Sequence, residues 1–333
     1  MFGDMSDIKK TWLVTGCAGF IGSNLLEALL KNDQTVVGLD NFLTGKQENL
    51  KSVLEGLSPE QTKNFTFIEG DIRDDKLCRE ITKNVTYVLH QAALGSVPRS
   101  LKDPQTTNDV NVTGFLNILR ASQENKVARF VYASSSSVYG DSEKLPKVED
   151  KIGNPLSPYA VSKRMNELYG EVFHRCYGIP TIGLRYFNVF GPRQDPESMY
   201  AALIPLWTTA LLKSEPCYVN GDGLNSRDFC YVNNAIEANL KAALTPNQQA
   251  FGAVFNVAYG AQTNLREVYA LIKGFLRIQG DVQPLYREER SGDVKHSLAN
   301  IEKAKELLGY SPAYSFEEGL KAAVAWFKEN YKN

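Results

Sequence analysis

A tyrosine and a lysine, Tyr159 and Lys163, lie four positions apart in the segment NPLSPYAVSKRMNEL, residues 154–168. Residues at this spacing share one face of an α-helix, about 6 Å apart along its axis. Ser157 and Pro158 are typical of an N-cap and a first helical residue, so Tyr159 is expected in the first turn. The helix dipole favours negative charge there, which suits a phenol that gives up its proton. A core tyrosine beside a surface lysine has the same spacing, so the pair alone leaves both interpretations open.

Three glycines, Gly16, Gly19 and Gly22, follow the short apolar run TWLVT at 11–15. Glycine lets the backbone turn tightly and approach a pyrophosphate, and the helix that follows would offer free N–H groups to it. Asp40 ends the next apolar run, where a carboxylate accepts hydrogen bonds from ribose hydroxyls and repels a 2′-phosphate. The pattern predicts a dinucleotide site that prefers NAD to NADP, the alternative being a plain strand–helix turn.

The proton transfer proposed for Tyr159 needs a large shift in its pKa. A free tyrosine has a pKa near 10, so a base working near pH 7 requires about 3 units, or roughly 4 kcal/mol. The helix dipole gives at most about 1–2 kcal/mol, and the remainder must come from Lys163 and the cationic nicotinamide ring of NAD⁺. Tyr159 would then take a proton from a substrate hydroxyl whose carbon gives up a hydride.

Four serines, Ser134 to Ser137, follow the apolar run RFVYA in the segment YASSSSVYGD. The carboxyl end of a strand is where doubly wound folds bind ligands, so one of these hydroxyls is a candidate partner for the reacting oxygen. A serine-rich loop without chemistry is the alternative.

The elements that must position these residues alternate along the first half of the chain. Apolar runs rich in β-branched and aromatic residues predict strands at 11–15, 35–40, 65–71, 85–93, 129–135 and 181–189. Helical patterns between them cover 21–31, 112–125 and 159–177. Strand–helix alternation with strands that are apolar on both faces is typical of a doubly wound α/β sheet.

The second half of the chain has a looser pattern, with Gly-, Pro- and Asn-rich loops after about residue 188. A late helix at 316–331 is predicted from Ser315 and Glu318, which have capping-box spacing. The segments DFCYVNNAIEANLKAAL and VFNVA are expected to return to the main sheet. A smaller second lobe, not continuous in sequence, is therefore expected.

Composition excludes several classes of function. The 333 residues carry a net charge of −1 with no long basic run, which argues against nucleic acid or a membrane surface as a partner. Five scattered cysteines and three histidines predict neither a disulfide framework nor a metal site. The N-terminus lacks a signal-peptide pattern and no run is long and apolar enough for a membrane span, so a cytoplasmic protein is expected.

Together these motifs resemble the extended short-chain dehydrogenase/reductase family, and within it the nucleotide-sugar 4-epimerases. The residues that carry the resemblance are T-G-x-x-G-F-I-G, HQAA, SSSSVYG, Y-x-x-x-K and RYFNVFGPRQ, and the similarity runs from about residue 11 to 330. The UDP-N-acetylglucosamine 4-epimerases are the most similar group. Ser135 to Ser137 include no carboxylate, which argues against the related dehydratases and uronate decarboxylases.

The resemblance implies a Rossmann-type NAD-binding domain, at 1–187 plus about 229–258, and a mixed α/β lobe that binds a UDP-sugar, at about 188–228 plus 259–333. Tyr159 would remove the proton from the 4-hydroxyl of the sugar while C4 gives a hydride to tightly held NAD⁺. The 4-keto sugar would rotate about its pyrophosphate link and take the hydride back on its other face. A homodimer formed through helices near 112–125 and 159–177 is also implied.

The resemblance also assigns the site residues. Tyr159, Lys163 and Ser135 are the expected catalytic residues. The expected NAD-binding residues are Gly16, Gly19, Phe20, Ile21, Gly22, Asp40, Asn41, Gly45, Asp71, Ile72, Gln91, Ala92, Ala93, Tyr159, Lys163 and Val189. The expected substrate-binding residues are Ser96, Arg99, Ser135, Ser136, Asn188, Tyr218, Val219, Asn220, Ser226, Arg227, Arg290, Asp293 and Ser297.

Sugar preference depends, by this resemblance, on the residue at Ser297, where a small side chain admits an N-acetyl group and a tyrosine excludes it. UDP-N-acetylglucosamine is therefore the expected substrate, with UDP-glucose as a further one. The competing substrates are UDP-N-acetylglucosaminuronic and UDP-glucuronic acid, whose carboxylate would need a cation such as Arg99 or Lys295. A net oxidoreductase would use the same tyrosine and lysine, and a non-catalytic NAD-binding module would need neither of them.

Overall fold

A seven-stranded parallel sheet forms the centre of the computed structural model, which describes residues 9–198, 201–288 and 295–331. Its strands are β1 (Thr11–Thr15), β2 (Thr35–Asp40), β3 (Phe65–Glu69), β4 (Tyr87–His90), β5 (Arg129–Ser135), β6 (Thr181–Tyr186) and, late in the chain, β11 (Val254–Val257). Their spatial order is β11-β6-β5-β4-β1-β2-β3, and every pair is parallel. The strand order reverses between β1 and β4, which creates a crevice at their carboxyl ends.

The sheet is apolar on both faces because each face is covered by helices. Trp12 and Val14 of β1 pack into one hydrophobic core, and Leu13 between them packs into the other. Side chains of a strand alternate between faces, so this division follows from the strand geometry. Burial on both faces explains why the strands lack polar alternation.

Thirteen α-helices surround this sheet and the smaller strands among the described residues. They are α1 (Phe20–Lys31), α2 (Gln47–Glu55), α3 (Pro59–Thr62), α4 (Asp75–Ile81), α5 (Val97–Lys102), α6 (Pro104–Asn108), α7 (Phe115–Glu124), α8 (Pro158–Tyr177), α9 (Leu203–Leu212), α10 (Val232–Leu244), α11 (Leu265–Leu276), α12 (Glu302–Leu308) and α13 (Phe316–Asn330). Helices α1 and α10 contribute to the first core, and α4 and α7 contribute to the second.

Short two-stranded pairs form the rest of the β-structure. The pairs are β7 (Val189–Phe190) with β10 (Cys230–Tyr231), β9 (Ser226–Arg227) with β12 (Thr263–Asn264), and β8 (Tyr218–Asn220) with β13 (Leu285–Arg287). The division into two lobes at the boundaries given above remains a prediction. In the described part of the chain, no helix combines the length and apolar character that a bilayer crossing requires.

The predicted elements are present, and the differences have physical reasons. Three strands end earlier than expected, at Glu69, His90 and Tyr186, because the residues beyond them turn into the loops at the crevice. The VFNVA segment joins the sheet as β11, but DFCYVNNAIEANLKAAL packs on the sheet as α10 instead of adding a strand to it.

The helix expected at 112–125 begins earlier in the chain. Its helical path starts at Pro104 and passes through a π-helical turn, Asp109–Gly114, before α7. Inside that turn the Asn111 side chain donates to the carbonyl of Leu94 (3.2 Å) and the hydroxyl of Ser162 (3.1 Å), and accepts from the Leu94 N–H (2.8 Å). Such turns place a side chain away from regular helical register, which no periodicity reveals. The capping box of Ser315 and Glu318 is present as predicted.

Two glycines allow α8 to lie close to the sheet. Tyr132 of β5 is 1% exposed, and an added Cβ would lie 2.6 Å from its hydroxyl oxygen at Gly170 of α8 and 2.7 Å at Gly183 of β6. The tyrosine ring therefore fills space that any larger residue at either glycine would need. The distance between α8 and β5 is set by this contact.

We expect Gly170→Ala to destabilise the protein by about 1–3 kcal/mol, since over-packing outweighs the roughly 1 kcal/mol that alanine gains in a helix. Gly274→Ala in α11 is the matched control, because no described atom beyond its own stretch of helix lies within 4 Å of its added Cβ, and it should be neutral or stabilising. Urea unfolding measures both free energies. A Gly170→Ala protein as stable as the Gly274→Ala protein would contradict the tight contact.

Candidate active site

A cavity of about 520 Å³ lies at the carboxyl ends of the strands, where the strand order reverses. It is lined by fifteen of the sixteen residues expected to bind NAD, all except Gly45. The structure also brings Ser135, Ser136 and Asn188, which were expected at the substrate, to its wall. Residues far apart in sequence thus meet at one edge of the sheet.

The glycine loop forms a cradle that a side chain would fill. A Cβ at Gly22 would lie 2.0 Å from the carbonyl oxygen of Gly16, and one at Gly16, whose φ is +71°, would lie 2.8 Å from the amide nitrogen of Ala92. The N-cap of α1 is Gly19, which has no side chain to accept a hydrogen bond from the helix. The first N–H groups of the helix are therefore left for a ligand. This geometry fits a dinucleotide pyrophosphate.

Asp40 lies on the cavity wall and is 8% exposed. Its two oxygens accept the N–H groups of Ala18 and Phe42, each at 2.9 Å, and these bonds fix the direction of the carboxylate. Burial raises its pKa, and the backbone hydrogen bonds act against this rise. Each oxygen keeps a further lone pair for a ribose hydroxyl.

Gly45 lies outside the cavity lining but supports Asp40. A Cβ at Gly45 would lie 2.8 Å from an Asp40 carboxylate oxygen. Asp71, also expected at the cofactor, accepts from the Asn41 side chain at 2.8 Å, which links the ends of β2 and β3.

Tyr159 is half-buried in the first turn of α8, after the N-cap Ser157 and Pro158. Burial raises its pKa, and a side-chain hydrogen bond with Ser135 acts in the opposite direction. The low pKa required of a base at neutral pH is therefore not a property of the polypeptide by itself. Additional positive charge at the site is needed to release the proton.

Lys163 is 3% exposed and faces the same cavity one turn later. Its Nζ donates to the carbonyl oxygen of Ala133 at 2.9 Å and lies 6.0 Å from the centre of the Tyr159 ring. Burial lowers its pKa to about 8, and the charge of Glu167 counteracts this. Lys163 is thus cationic at neutral pH and becomes neutral under mildly alkaline conditions.

The four serines have different environments. Ser134 is buried and donates to Glu167. The buried hydroxyl of Ser137 has no hydrogen-bond partner among the described residues. Ser135 is the one whose hydroxyl interacts with Tyr159, and it also accepts from the Ser137 N–H at 3.1 Å. Ser136 lies on the cavity wall beside it.

Several lining residues were not foreseen from the sequence. Tyr186 donates to Gln91 (3.1 Å) and accepts from Asn239 of α10 (2.8 Å), which ties the ends of β6 and β4 together. Its position in the RYFNV motif was an available signal. Ala133 contributes a carbonyl oxygen, which has no side-chain signature in the sequence. The other unforeseen lining residues are Leu39, Leu43, Thr44, Gly70, Leu94, Gly95 and Val110.

Three residues expected at the substrate form a second group next to β9. The N–H of Ser297 donates to the carbonyl of Ser226 at 3.0 Å, and Nη1 of Arg227 donates to the carbonyls of Ser226 and Lys295, each at 3.0 Å. Ser297 is 9% exposed and has a small side chain. This group connects to the cavity through Asn188, whose side chain donates to the carbonyl of Asp228 at 3.0 Å.

Asp228, next to Arg227, is fully buried and was not foreseen. Its carboxylate accepts the N–H groups of Tyr259 (3.1 Å), Gly260 (3.1 and 3.2 Å) and Ala299 (3.1 Å). Burial raises its pKa to about 6. A single carboxylate thus joins three segments around the expected sugar pocket.

The remaining expected substrate residues lie apart from this group or outside the described residues. Ser96 caps α5 and Arg99 lies in its first turn, just after Gly95 of the cavity wall. The Arg287 guanidinium lies 3.2 Å from the Tyr218 ring centre, and Val219 is 1% exposed, so only the backbone of Val219 is available to a uridine. Arg290 and Asp293 lie outside the described residues.

The chain is similar to known proteins over nearly its whole length. Residues 12–258 match the model of the NAD dependent epimerase/dehydratase family. A UDP-N-acetylglucosamine 4-epimerase from Methanobrevibacter ruminantium M1, solved with UDP-N-acetylmuramic acid, is 38% identical with a TM-score of 0.89, covering 97% of this chain and 99% of that one.

Two further solved structures have different sugars. A UDP-glucose 4-epimerase from Thermotoga maritima, with UDP-glucose, is 36% identical with a TM-score of 0.87, covering 96% and 99% of the two chains. A UDP-glucuronic acid 4-epimerase from Bacillus cereus, with UDP-glucuronic acid and NAD, is 34% identical with a TM-score of 0.85, covering 96% and 100%. With a glycine cradle, an acidic ribose site and a tyrosine–lysine pair in one cavity, the chain belongs to the NAD-dependent epimerase/dehydratase family.

Proposed function

We propose that the protein interconverts UDP-N-acetylglucosamine and UDP-N-acetylgalactosamine by inverting C4 of the sugar, and that it also accepts UDP-glucose and UDP-galactose. The main support for this proposal is that the cavity at the glycine cradle is also lined by Tyr159, Lys163 and Ser135. The 4-epimerase activity of the similar proteins supports the reaction class.

In this proposal the glycine cradle and Asp40 hold NAD. When bound, NAD supplies a hydride acceptor and a positive charge beside Tyr159. The tyrosine oxygen takes the proton of the 4-hydroxyl and later returns it, and Ser135 hydrogen-bonds the same sugar oxygen. Lys163 stays cationic below pH about 8 and so stabilises the phenolate. No net oxidation of the sugar results.

The preference for an N-acetylated sugar rests on the small side chain of Ser297, beside Ser226 and Arg227. Among the described residues that line the cavity, Lys163 alone is cationic, and its ammonium donates to Ala133. A uronate would add the negative charge of its carboxylate to those of the diphosphate, which makes a neutral sugar the better fit. A UDP-uronic acid is the alternative substrate, because a UDP-glucuronic acid 4-epimerase is similar to this protein over nearly the whole chain.

Replacing Tyr159 tests the reaction. We expect Tyr159→Phe to lower kcat by roughly 10²–10⁴-fold, since the phenol is the proton acceptor. Tyr177→Phe, on the exposed end of the same helix, is the matched control and should leave kcat unchanged. NMR of the C4 epimers, without added cofactor, measures turnover, and nucleotide released on denaturation measures retained NAD. An unchanged kcat in Tyr159→Phe would refute its role as the proton acceptor. A wild type that retains NAD but turns over none of the UDP-sugars would favour a non-catalytic NAD-binding module, and released NADH would favour a net oxidoreductase.

Replacing Ser297 tests the sugar preference. We expect Ser297→Tyr to abolish turnover of UDP-N-acetylglucosamine and to spare UDP-glucose, because the tyrosine ring would fill the space that the N-acetyl group needs. Ser297→Ala keeps the pocket small and should retain both activities. Incubation with each of these sugars and with UDP-N-acetylglucosaminuronic acid, resolved by NMR, gives the ranking. Equal loss on both neutral sugars would argue against Ser297 as the gate, and turnover of the uronate alone would establish the alternative.

An exposed apolar face on α8 supports the proposed homodimer. Val161, Leu168 and Val172 are 45%, 45% and 36% exposed, and Leu101 of the neighbouring α5 is 63% exposed. An apolar surface of this kind marks an interaction site. Helix α7, the other expected contact, carries none of the large exposed apolar side chains, so the face lies on α8 and α5.

We expect Leu168→Glu to weaken self-association by roughly 30-fold or more, since it buries a charge in the interface. Leu206→Glu, at a similarly exposed leucine of α9, is the control and should leave association unchanged. Light scattering across a dilution series gives both dissociation constants. A wild-type protein that is monomeric at high concentration would refute the dimer.

A further inference from the structure

Glu167 of α8 is a buried carboxylate that the proposed reaction does not use. Its side chain is 1% exposed and has four hydrogen bonds. Oε1 accepts from Ser134 Oγ (2.6 Å) and Arg185 Nε (2.7 Å). Oε2 accepts from Arg185 Nη2 (2.9 Å) and Arg164 Nη1 (3.0 Å). These four donors occupy the lone pairs of both oxygens, so the carboxylate has one fixed orientation.

The end of β5 contacts α8 through three successive residues. The Ser135 hydroxyl interacts with Tyr159, the Ala133 carbonyl accepts from Lys163, and the Ser134 hydroxyl donates to Glu167. The three helical partners are spaced four residues apart and so follow one another along one face of α8. Glu167 therefore holds Ser134. This residue lies between Ala133 and Ser135, which contact Lys163 and Tyr159.

The charge of Glu167 also acts on Lys163 one turn away. Other groups that face this region are His90 of β4, Tyr132 of β5, Tyr159 and Arg164 of α8, and Arg185 of β6. Burial lowers the pKa of His90 to about 3 and raises that of Tyr132, so both are neutral at pH 7. Two further carboxylates act on this region, Glu149 on Arg185 and Glu171 on Tyr132. The charge of Glu167 is the one that raises the pKa of Lys163 against the effect of burial.

We propose that Glu167 is a positioning residue, which fixes Ser135 through Ser134 and keeps the Lys163 ammonium charged in the working pH range. A purely structural role, in which the carboxylate only pairs with Arg185, would stabilise the fold without affecting either catalytic group. This inference rests on the proposed function for its effect on turnover, but its effect on Lys163 does not depend on which reaction the site performs.

Glu167→Gln tests the proposal, since glutamine keeps the size of the side chain and removes its charge. In the wild type, kcat should fall as the pH rises through about 8, where Lys163 loses its proton. In the variant this alkaline limb should move about one unit lower, so that kcat falls about fivefold at pH 8 and about tenfold well above it. The KM for UDP-N-acetylglucosamine and the retained NAD should change little. Glu171→Gln is the matched control, because this carboxylate lies four residues further along α8 and is 56% exposed.

A second readout does not require turnover. The Cε resonance of Lys163 in ¹³C-lysine-labelled, NAD-retaining protein is assigned by its absence from a Lys163→Arg variant, and its titration should shift to lower pH in Glu167→Gln. An unchanged titration and pH profile in a folded Glu167→Gln protein would overturn the proposal, as would an equal shift in Glu171→Gln. Should the wild type epimerise none of the three UDP-sugars, the proposed function fails, and the Lys163 titration still decides the role of Glu167.

Should Glu167→Gln not fold, Ser134→Ala provides the test, since it removes one hydrogen bond and leaves the pair with Arg185. A several-fold lower kcat with an unaltered alkaline limb, at wild-type thermal stability, would support positioning through Ser134. An unchanged kcat in this variant would overturn it.

Discussion

The close contact between α8 and the end of β5 is the constraint on which the site depends. Tyr132 fills the space left by two glycines, and the Lys163 ammonium donates to the Ala133 carbonyl at 2.9 Å. A helix farther from the sheet would separate the phenol of Tyr159 from the Ser135 hydroxyl. The parallel sheet adds the second requirement, because it brings the glycine cradle to the same edge as these residues.

This arrangement buries a polar network between α8 and the sheet. Glu167 and Arg185 are each 1% exposed, and an ion pair so deeply buried contributes little net stability unless every donor and acceptor is satisfied. Here the carboxylate is saturated, and Arg185 also donates to the carbonyl of Glu149 at 2.8 Å. The network therefore fixes one arrangement of β5, β6 and α8, which is a gain in specificity more than in stability.

Much of this fold and site could be predicted from sequence because the signals are local. Strand runs, the glycine loop, the Tyr159–Lys163 spacing and the cap at Ser315 each depend on residues close together in the chain. The partners of Glu167 and Asp228 could not be predicted, since they come from distant segments that meet only in the folded chain. The π-helical turn around Asn111 was not predicted, because its register follows a tertiary hydrogen bond. The raised pKa of Tyr159 was not predicted either, because it results from burial.

Asp228 has a consequence for how sugar preference could diverge among related proteins. Within the described ranges, its carboxylate holds the surrounding segments through their main-chain N–H groups alone, at Tyr259, Gly260 and Ala299. Because these contacts use no side chains, exchanges at neighbouring positions leave the path of the backbone intact. Point changes can then reshape the expected sugar pocket without disturbing Tyr159 and Lys163 on α8, so one scaffold can diversify across many sugars in small evolutionary steps.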